Sequence, residues 1–107
     1  MLITILSKQE VGKRIRNLEG QLTKQLRESP LDSVLEEFWF HPQYHYIPAL
    51  GPAISMLVVG GAITSWSNGT QEIRQGVHNL ALNMRNKLNH QEVQYLTGVG
   101  RSLVTEN

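Results

Sequence analysis

Cysteine is absent from this chain of 107 residues. Without thiols the chain can form no disulfide, no thiolate metal site and no cysteine nucleophile. Enzyme motifs are missing as well: the sequence holds no phosphate-binding glycine loop, no nucleophile elbow and no dinucleotide fingerprint. We therefore expect a non-catalytic protein with no cofactor. A cytoplasmic location is compatible with the lack of cysteine.

Charge is also absent over a long internal stretch, since residues 38–71 contain no Lys, Arg, Asp or Glu. Within this stretch, residues 47–65 form a mainly apolar run. We expect a buried central helix here. It would begin at Gly51-Pro52, because Pro is favoured at the first position of a helix, and end near Trp66.

Two other structures fit the same apolar run. A single membrane span over residues 47–66 would explain the aromatic residues at both ends. A β-hairpin turning at Gly60-Gly61 would instead give an α+β fold. The helical patterns on both sides of the run favour the buried helix.

Signals for helix ends occur along the rest of the chain. Ser7 and Glu10 have the spacing of a capping box, and so do Asn89 and Glu92. Two further helices are predicted, one with Asp32 as its N-cap that ends at Glu37 or as late as Phe40, and one capped by Thr70.

Apolar residues repeat every three or four positions in two of these predicted helices, as they do on the buried face of an amphipathic helix. In the first helix they are Val11, Ile15, Leu18, Leu22 and Leu26, and in the fourth they are Ile73, Val77, Leu80, Met84 and Leu88. We therefore expect an all-α fold. Residues 1–107 would form one domain, a small bundle of about five helices around the apolar central helix.

Cationic side chains lie on one face of the predicted first helix. At about 100° per residue, the side opposite the apolar row carries Lys13, Arg16, Lys24 and Arg27. A second group, Arg74, His78 and Arg85, lines one flank of the fourth helix. Rows of cations along a helix can follow a nucleic-acid backbone, because neutralised phosphates release condensed counterions. The alternative is an ordinary solvated helix face.

The C-terminal residues 93–104 resemble a helix-hairpin-helix motif. The apolar–small–Gly–apolar–Gly core of that motif corresponds here to Leu96, Thr97, Gly98, Val99 and Gly100, with Thr where Pro is usual. The resemblance implies a tight turn whose backbone amides meet a phosphate at the start of a second helix. It implies that Gly98, Gly100 and Arg101 contact the nucleic acid.

Aromatic residues cluster just before the apolar run, and such a cluster can anchor a protein–protein interface. Its members are Phe38, Trp39, Phe40, Tyr44 and Tyr46. Interleaved with them, Glu37, His41 and His45 have the spacing of metal ligands on a continuous helix. Because Pro42 interrupts that helix, we expect loop histidines that are hydrogen-bonded to the backbone and no metal site.

These patterns together predict a non-catalytic helical subunit or adaptor of a larger protein assembly. Its basic helix face would contact a nucleic-acid phosphate backbone without reading sequence. In size and helical character such a protein is similar to the small subunits of CRISPR effector complexes. One alternative is a single-span membrane protein with a basic amphipathic N-terminal helix. Another is a protein–protein adaptor that uses the aromatic cluster 38–46.

Overall fold

The computed structural model describes residues 1–84 and 87–106, which form six helices and four strands. The helices are α1 (Leu2–Leu6), α2 (Leu18–Leu26), α3 (Asp32–Glu37), α4 (Leu50–Val59), α5 (Gln75–Met84) and α6 (His90–Ser102). The strands β1 (Arg14–Arg16), β2 (Ile63–Ser65), β3 (Thr70–Ile73) and β4 (Thr105–Glu106) form one antiparallel sheet in the order β2-β3-β1-β4. The fold is α+β, and the prediction of an all-α bundle is wrong. The similarity to the small helical CRISPR subunits depended on that prediction and is wrong as well.

The predicted first helix is interrupted by strand β1. Gly12 and Asn17 have φ angles of 93° and 51°, and such left-handed residues cannot belong to a continuous right-handed helix. Between them, β1 pairs with both β3 and β4. Ser7 does not open this helix. It ends α1 instead, where its hydroxyl donates to the carbonyl of Thr4 at 2.8 Å.

The predicted central helix ends early, at Val59. The amide of Ala62 donates to the carbonyl of Leu57 at 2.9 Å, and the amide of Gly61 donates to the carbonyl of Val58 at 3.1 Å. With φ of 79° at Gly61, this is a Schellman cap, which stops a helix by satisfying its last carbonyls. Gly60 and Gly61 therefore end α4 and do not form the turn of a hairpin.

The segment 47–66 is consequently not one helix. With ten residues at about 1.5 Å each, α4 is about 15 Å long. Within residues 1–84 and 87–106, no helix is long and apolar enough to cross a membrane. A hairpin is present, but it joins β2 to β3 and turns at residues 66–69. Strand β3 replaces the first turn of the helix that was predicted to begin at Thr70.

Two of the predicted helices are confirmed. Helix α3 occupies Asp32–Glu37, but its N-cap is Leu31, so the prediction of Asp32 as the cap is wrong. The Asn89 side chain accepts the Glu92 amide at 2.8 Å, and Glu92 accepts the Asn89 amide at 2.9 Å, so this capping box opens α6. Helix α6 is longer than expected and continues through Ser102.

The core lies between the inner face of the sheet and the helices. Helix α1 contacts both α5 and α6, and α2 packs on α6. Most of the apolar row predicted for the first helix is buried, whereas Val11 is exposed. The largest fully buried side chains include Ile5, Leu6, Ile15, Leu18, Leu22, Leu26, Ile47, Leu50, Ile63, Ile73 and Leu96.

Helix α4 is not the buried centre of the molecule. Of its ten residues only Leu50 is buried, so the predicted position of this helix in the core is wrong. Its inner face is half-buried against the core through Ala53, Ile54, Leu57 and Val58, and its outer face lies at the surface.

Candidate nucleic-acid interface

A groove of about 530 Å³ lies between helix α2 and the loop that precedes α4, and we call it the α2 groove. Lys24 and Arg27, two of the four predicted stripe cations, lie on one of its walls. Phe40 and Tyr46, two of the predicted aromatic residues, lie on the other. The full lining is Asn17, Glu19, Gly20, Thr23, Lys24, Arg27, Phe40, His45 and Tyr46.

Helix α2 supplies its wall of the groove through helical spacing. Residues three and four apart lie on the same face of a helix, so Gly20, Lys24 and Arg27 point to one side. The opposite face of α2 is held in the core by three fully buried leucines, Leu18, Leu22 and Leu26. The position of the cations is therefore set by the packing of α2.

The guanidinium of Arg27 stacks on the ring of Phe40, with its carbon 4.2 Å from the ring centroid. A stacked guanidinium is attracted by the ring face and keeps its N–H donors in its own plane, at the edge of the stack. Among the described residues, neither Arg27 nor Lys24 has an acidic partner within 4 Å. Both positive charges are thus available to a ligand.

The opposite wall is a tight turn between His41 and Tyr46. The amide of His41 donates to the carbonyl of Tyr46 at 2.7 Å, and the amide of His45 donates to the carbonyl of His41 at 2.8 Å. The His41 ring stacks on Tyr46 and accepts the amides of Gln43 and Tyr44 through Nδ1. This confirms, for His41, the expectation of a loop histidine bonded to the backbone. The turn presents His45 and Tyr46 to the groove.

The backbone is strained at two points of the α2 groove. Asn17 and His45 have φ of 51° and 56°, and in the described part of the chain they are the two non-glycine residues with positive φ. Side chains disfavour this region, and such residues concentrate at functional sites. Neither residue was among the predicted binding residues. The tolerance of Asn for left-handed backbone is the one sequence signal that could have marked Asn17.

Glu19 is the acidic residue of the groove lining. It stands at the border between the α2 groove and helix α4, since its carboxylate lies 3.7 Å from the position that a Cβ on Gly51 would take. The lining of the groove therefore combines the two cations Lys24 and Arg27, which have no acidic partner among the described residues, with one carboxylate.

The other predicted cations lie elsewhere. Arg16 lies in β1 and pairs with Glu106 at 3.1 Å, and Arg74 pairs with Glu72 at 3.4 Å. Lys13 precedes β1, and Arg85 lies outside the described residues. Because β1 interrupts the predicted helix, the basic stripe does not exist as one helix face.

Glu72 is the centre of a charged cluster on the outer face of the sheet. It pairs with Arg14 at 3.5 Å and with Arg74, and it accepts the indole N–H of Trp66 at 3.0 Å. Arg14 also lies over the Trp66 ring, 4.4 Å from its centroid. Unlike those of the α2 groove, these cations are already neutralised by carboxylates.

The turn predicted at Gly98 and Gly100 is not formed, because both glycines lie inside α6. Gly100 marks the contact between α6 and α1: a Cβ there would collide with the carbonyl oxygen of Ile5 and lie 3.0 Å from the Cβ of Lys8. The glycine thus serves close helix packing, and the resemblance to a helix-hairpin-helix motif does not extend to the structure. Arg101 is exposed in the last turn of α6.

The predicted aromatic cluster is divided between core and surface. Phe38 is buried in the core and also lines a cleft beside α4, so its role as an interface residue stays a prediction. Trp39 and Tyr44 are exposed and do not line the α2 groove, so their role in an interface stays a prediction. Glu37, His41 and His45 do not share a helix, and no group of three potential ligands among residues 1–84 and 87–106 is placed to hold a metal ion.

Comparison with protein-family models, with curated proteins and with solved structures finds no match for this chain. What the α2 groove can bind therefore follows from its own side chains. Cations without acidic partners beside an exposed aromatic ring, here that of Tyr46, are the combination by which proteins hold single-stranded nucleic acid without sequence preference.

Proposed function

We propose that this protein is a non-catalytic subunit or adaptor, acting in the cytoplasm, that binds the phosphate backbone of single-stranded nucleic acid in the α2 groove. The observation that carries this proposal is the convergence of unpaired Lys24 and Arg27 with Phe40 and Tyr46 around one open groove. Contacts to the backbone fix position and carry no sequence information, so binding would be sequence-independent.

The two cations would each neutralise one phosphate. For single strands the logarithm of the affinity falls with the logarithm of the salt concentration by about 0.7 per phosphate, so two contacts give a slope of about −1.4. A steeper slope would require cations beyond this groove.

The aromatic wall favours a single strand over a duplex. Tyr46 is exposed and its ring stacks on His41, which holds the ring at the edge of the groove. An unpaired base can stack on such a ring, and base–aromatic stacking contributes about 1–3 kcal/mol per base. In a duplex the faces of the bases are covered by their neighbours.

Fluorescence anisotropy with short labelled oligouridylate and oligothymidylate at several salt concentrations tests the proposal. The double substitution Lys24→Glu and Arg27→Glu is expected to weaken binding by about tenfold or more, because it replaces two attractions to phosphate by two repulsions. The matched control is Lys13→Glu with Arg101→Glu, which changes the net charge equally at residues outside the groove.

The control also separates the groove from the basic stripe and the C-terminal motif predicted from sequence. Equal weakening by both double variants would mean attraction by net charge and would overturn the assignment to the groove. Oligonucleotide binding that survives Lys24→Glu and Arg27→Glu would overturn it as well. Circular dichroism of each variant establishes that the fold is retained.

A further inference from the structure

Helix α4 exposes large apolar side chains to solvent, and none of its residues lines the α2 groove. Its outward residues are Pro52, Ser55, Met56 and Val59, at positions i, i+3, i+4 and i+7, so they form one stripe along the helix. Met56 is 75% exposed and Val59 is 89% exposed. We call this stripe the α4 ridge. Apolar residues at this spacing are typical of a helix face that packs against another helix.

A cleft of about 310 Å³ runs along one side of the α4 ridge. Its walls are almost entirely apolar and include Ile3, Phe38, Ala53 and Leu57. Met56 belongs to both features, since it projects from the ridge and also lines the cleft. The surface thus carries a protrusion and a matching depression next to each other.

This arrangement meets the requirement for a two-fold symmetric interface. In such an interface the same patch serves both subunits, so it must be complementary to itself. If two α4 helices cross antiparallel about an axis near Met56, the ridge of each copy enters the cleft of the other. A helix with the required apolar stripe is then supplied by the chain itself.

The charge distribution agrees with a second copy as the occupant. No Lys, Arg, Asp or Glu occurs in residues 38–71, which include all of α4. Beside α4, Glu37 in the cleft is paired with the N-terminal amino group of Met1 at 3.7 Å, and Glu19 lies on the opposite flank. Two copies can therefore bring their uncharged α4 helices together without like-charge repulsion along the ridge. The centres of homodimer interfaces are depleted of charge and more apolar than other interfaces, whereas a charged partner would find no counter-charge on the ridge.

The size of the patch agrees with a modest dimer. Nine residues line the cleft, eight line the groove on the other flank of α4, and Pro52 completes the ridge. Leu2, Ile3 and Phe38 are buried, which leaves fifteen of these residues with surface to offer a partner. A standard interface uses about 20–30 residues from each partner, so the patch is small, as in a weak dimer that exchanges with monomers.

We infer that the α4 ridge is the interface of a homodimer in which two α4 helices pack antiparallel around Met56. Each protomer keeps its own α2 groove, since the groove lining and the interface patch share only Glu19. Dimerisation therefore places two phosphate-binding grooves on one particle.

Sedimentation equilibrium over a range of concentrations tests this inference. The natural chain is expected to show a monomer–dimer equilibrium, and Met56→Glu and Val59→Glu are each expected to be monomeric because they bury charge in the interface. The matched control is Val104→Glu, at a valine that is 69% exposed outside the ridge. This control should dimerise like the natural chain.

Cross-linking gives a second, positional test, because the chain has no cysteine of its own. With the axis near Met56, the two copies of Ser55→Cys lie close, and a disulfide needs Cα atoms no more than about 7 Å apart. Mild oxidation should yield a covalent dimer of Ser55→Cys and little of the control Val104→Cys.

Three results would overturn the inference. The first is a natural chain that stays monomeric at all concentrations. If this monomer also sediments with neutral phosphatidylcholine vesicles, the surface that covers the α4 ridge is a lipid bilayer and not a second copy. The second is a dimer that survives both Met56→Glu and Val59→Glu. The third is equal cross-linking of the two cysteine variants.

Discussion

The α2 groove and the α4 ridge are two surfaces of opposite character on helices of similar length. Helix α2 buries three leucines and turns cations outward, and its groove contains two residues with left-handed backbone. Helix α4 is regular and uncharged, yet it buries only Leu50. A helix whose polar face is solvated needs no partner, whereas an apolar stripe in water indicates one. We therefore propose a charged ligand for the groove and a second copy of the chain for the ridge.

Both surfaces depend on the contact between α1 and α6. The first residues of the chain line the cleft beside the α4 ridge. On the other side, α6 supports α2: the Tyr95 hydroxyl donates to the carbonyl of Gln25 at 2.7 Å. A change at the α1–α6 contact should disturb both surfaces, while changes within one surface should leave the other intact.

The largest effect is expected from Gly100→Ala. A Cβ at this position collides with the carbonyl oxygen of Ile5, which belongs to the backbone and cannot rotate away. Forcing α1 and α6 apart should destabilise the fold by about 3 kcal/mol or more, the upper range for overpacking. Urea denaturation measures this change. Oligonucleotide binding and dimerisation should weaken together, because the substitution affects the support of both surfaces.

Gly98→Ala is the matched control, two positions earlier in the same helix. In the part of the chain that the structure describes, nothing lies within 4 Å of a Cβ at Gly98. Alanine should therefore stabilise α6 by about 0.5–1 kcal/mol through helix propensity alone. If Gly98→Ala raises the free energy of unfolding and Gly100→Ala lowers it, Gly100 is identified as a packing residue. If both were destabilising and both abolished oligonucleotide binding, the two glycines would instead act together in a phosphate-binding turn.

A smaller effect, confined to the groove, is expected from Arg27→Lys. Lysine keeps the charge but not the planar stack on Phe40, and an exposed cation–π contact contributes about 0.5–1 kcal/mol. Anisotropy should show oligonucleotide binding about two- to fivefold weaker. The sedimentation behaviour of the dimer should not change. An unchanged affinity would mean that the stack does not position the guanidinium for a phosphate.

The sequence predicted elements that are determined by contacts between neighbouring residues, and it failed for elements that depend on contacts between distant residues. Helix α3 and the Asn89–Glu92 capping box were predicted because caps and short apolar periods involve neighbouring residues. The sheet was missed because β1 pairs with β3 and β4, strands that are far away in the chain. No local pattern in residues 14–16 distinguishes a strand from a turn of helix.

Prediction of the site failed for related reasons. Lys24 and Arg27 could be found from charge spacing, since α2 is a helix as expected. Asn17 and His45 could not be found in this way, because it is the turns on which they lie that bring them next to Lys24 and Arg27. The apolar run of α4 was read as core because burial normally accompanies such composition. On the surface, the same composition indicates an interface.

The smallest effect is expected from Glu92→Gln, which should change how the stability of the fold depends on pH. At neutral pH it should leave the α2 groove and the α4 ridge unchanged. The amide of Asn89 donates to Glu92 and is the main cause that lowers the pKa of its carboxyl, with a smaller contribution from Ser33, and burial opposes this only in part. A lowered pKa in the folded chain means that the capping box stabilises α6 above the ordinary Glu pKa of about 4.3. This contribution is lost as the pH falls through the lowered pKa. Glu92→Gln keeps an acceptor for the Asn89 amide but does not titrate.

Urea denaturation of both proteins from about pH 7 to about pH 3 measures this difference. The stability of the natural chain should decline toward that of Glu92→Gln as the carboxylate is protonated, because protonation removes the charge from the hydrogen bonds at the start of α6. A stability difference independent of pH would show that the capping box acts through geometry alone. Neither the α2 groove nor the α4 ridge contains Glu92, so at neutral pH the variant should bind oligonucleotide and dimerise like the natural chain.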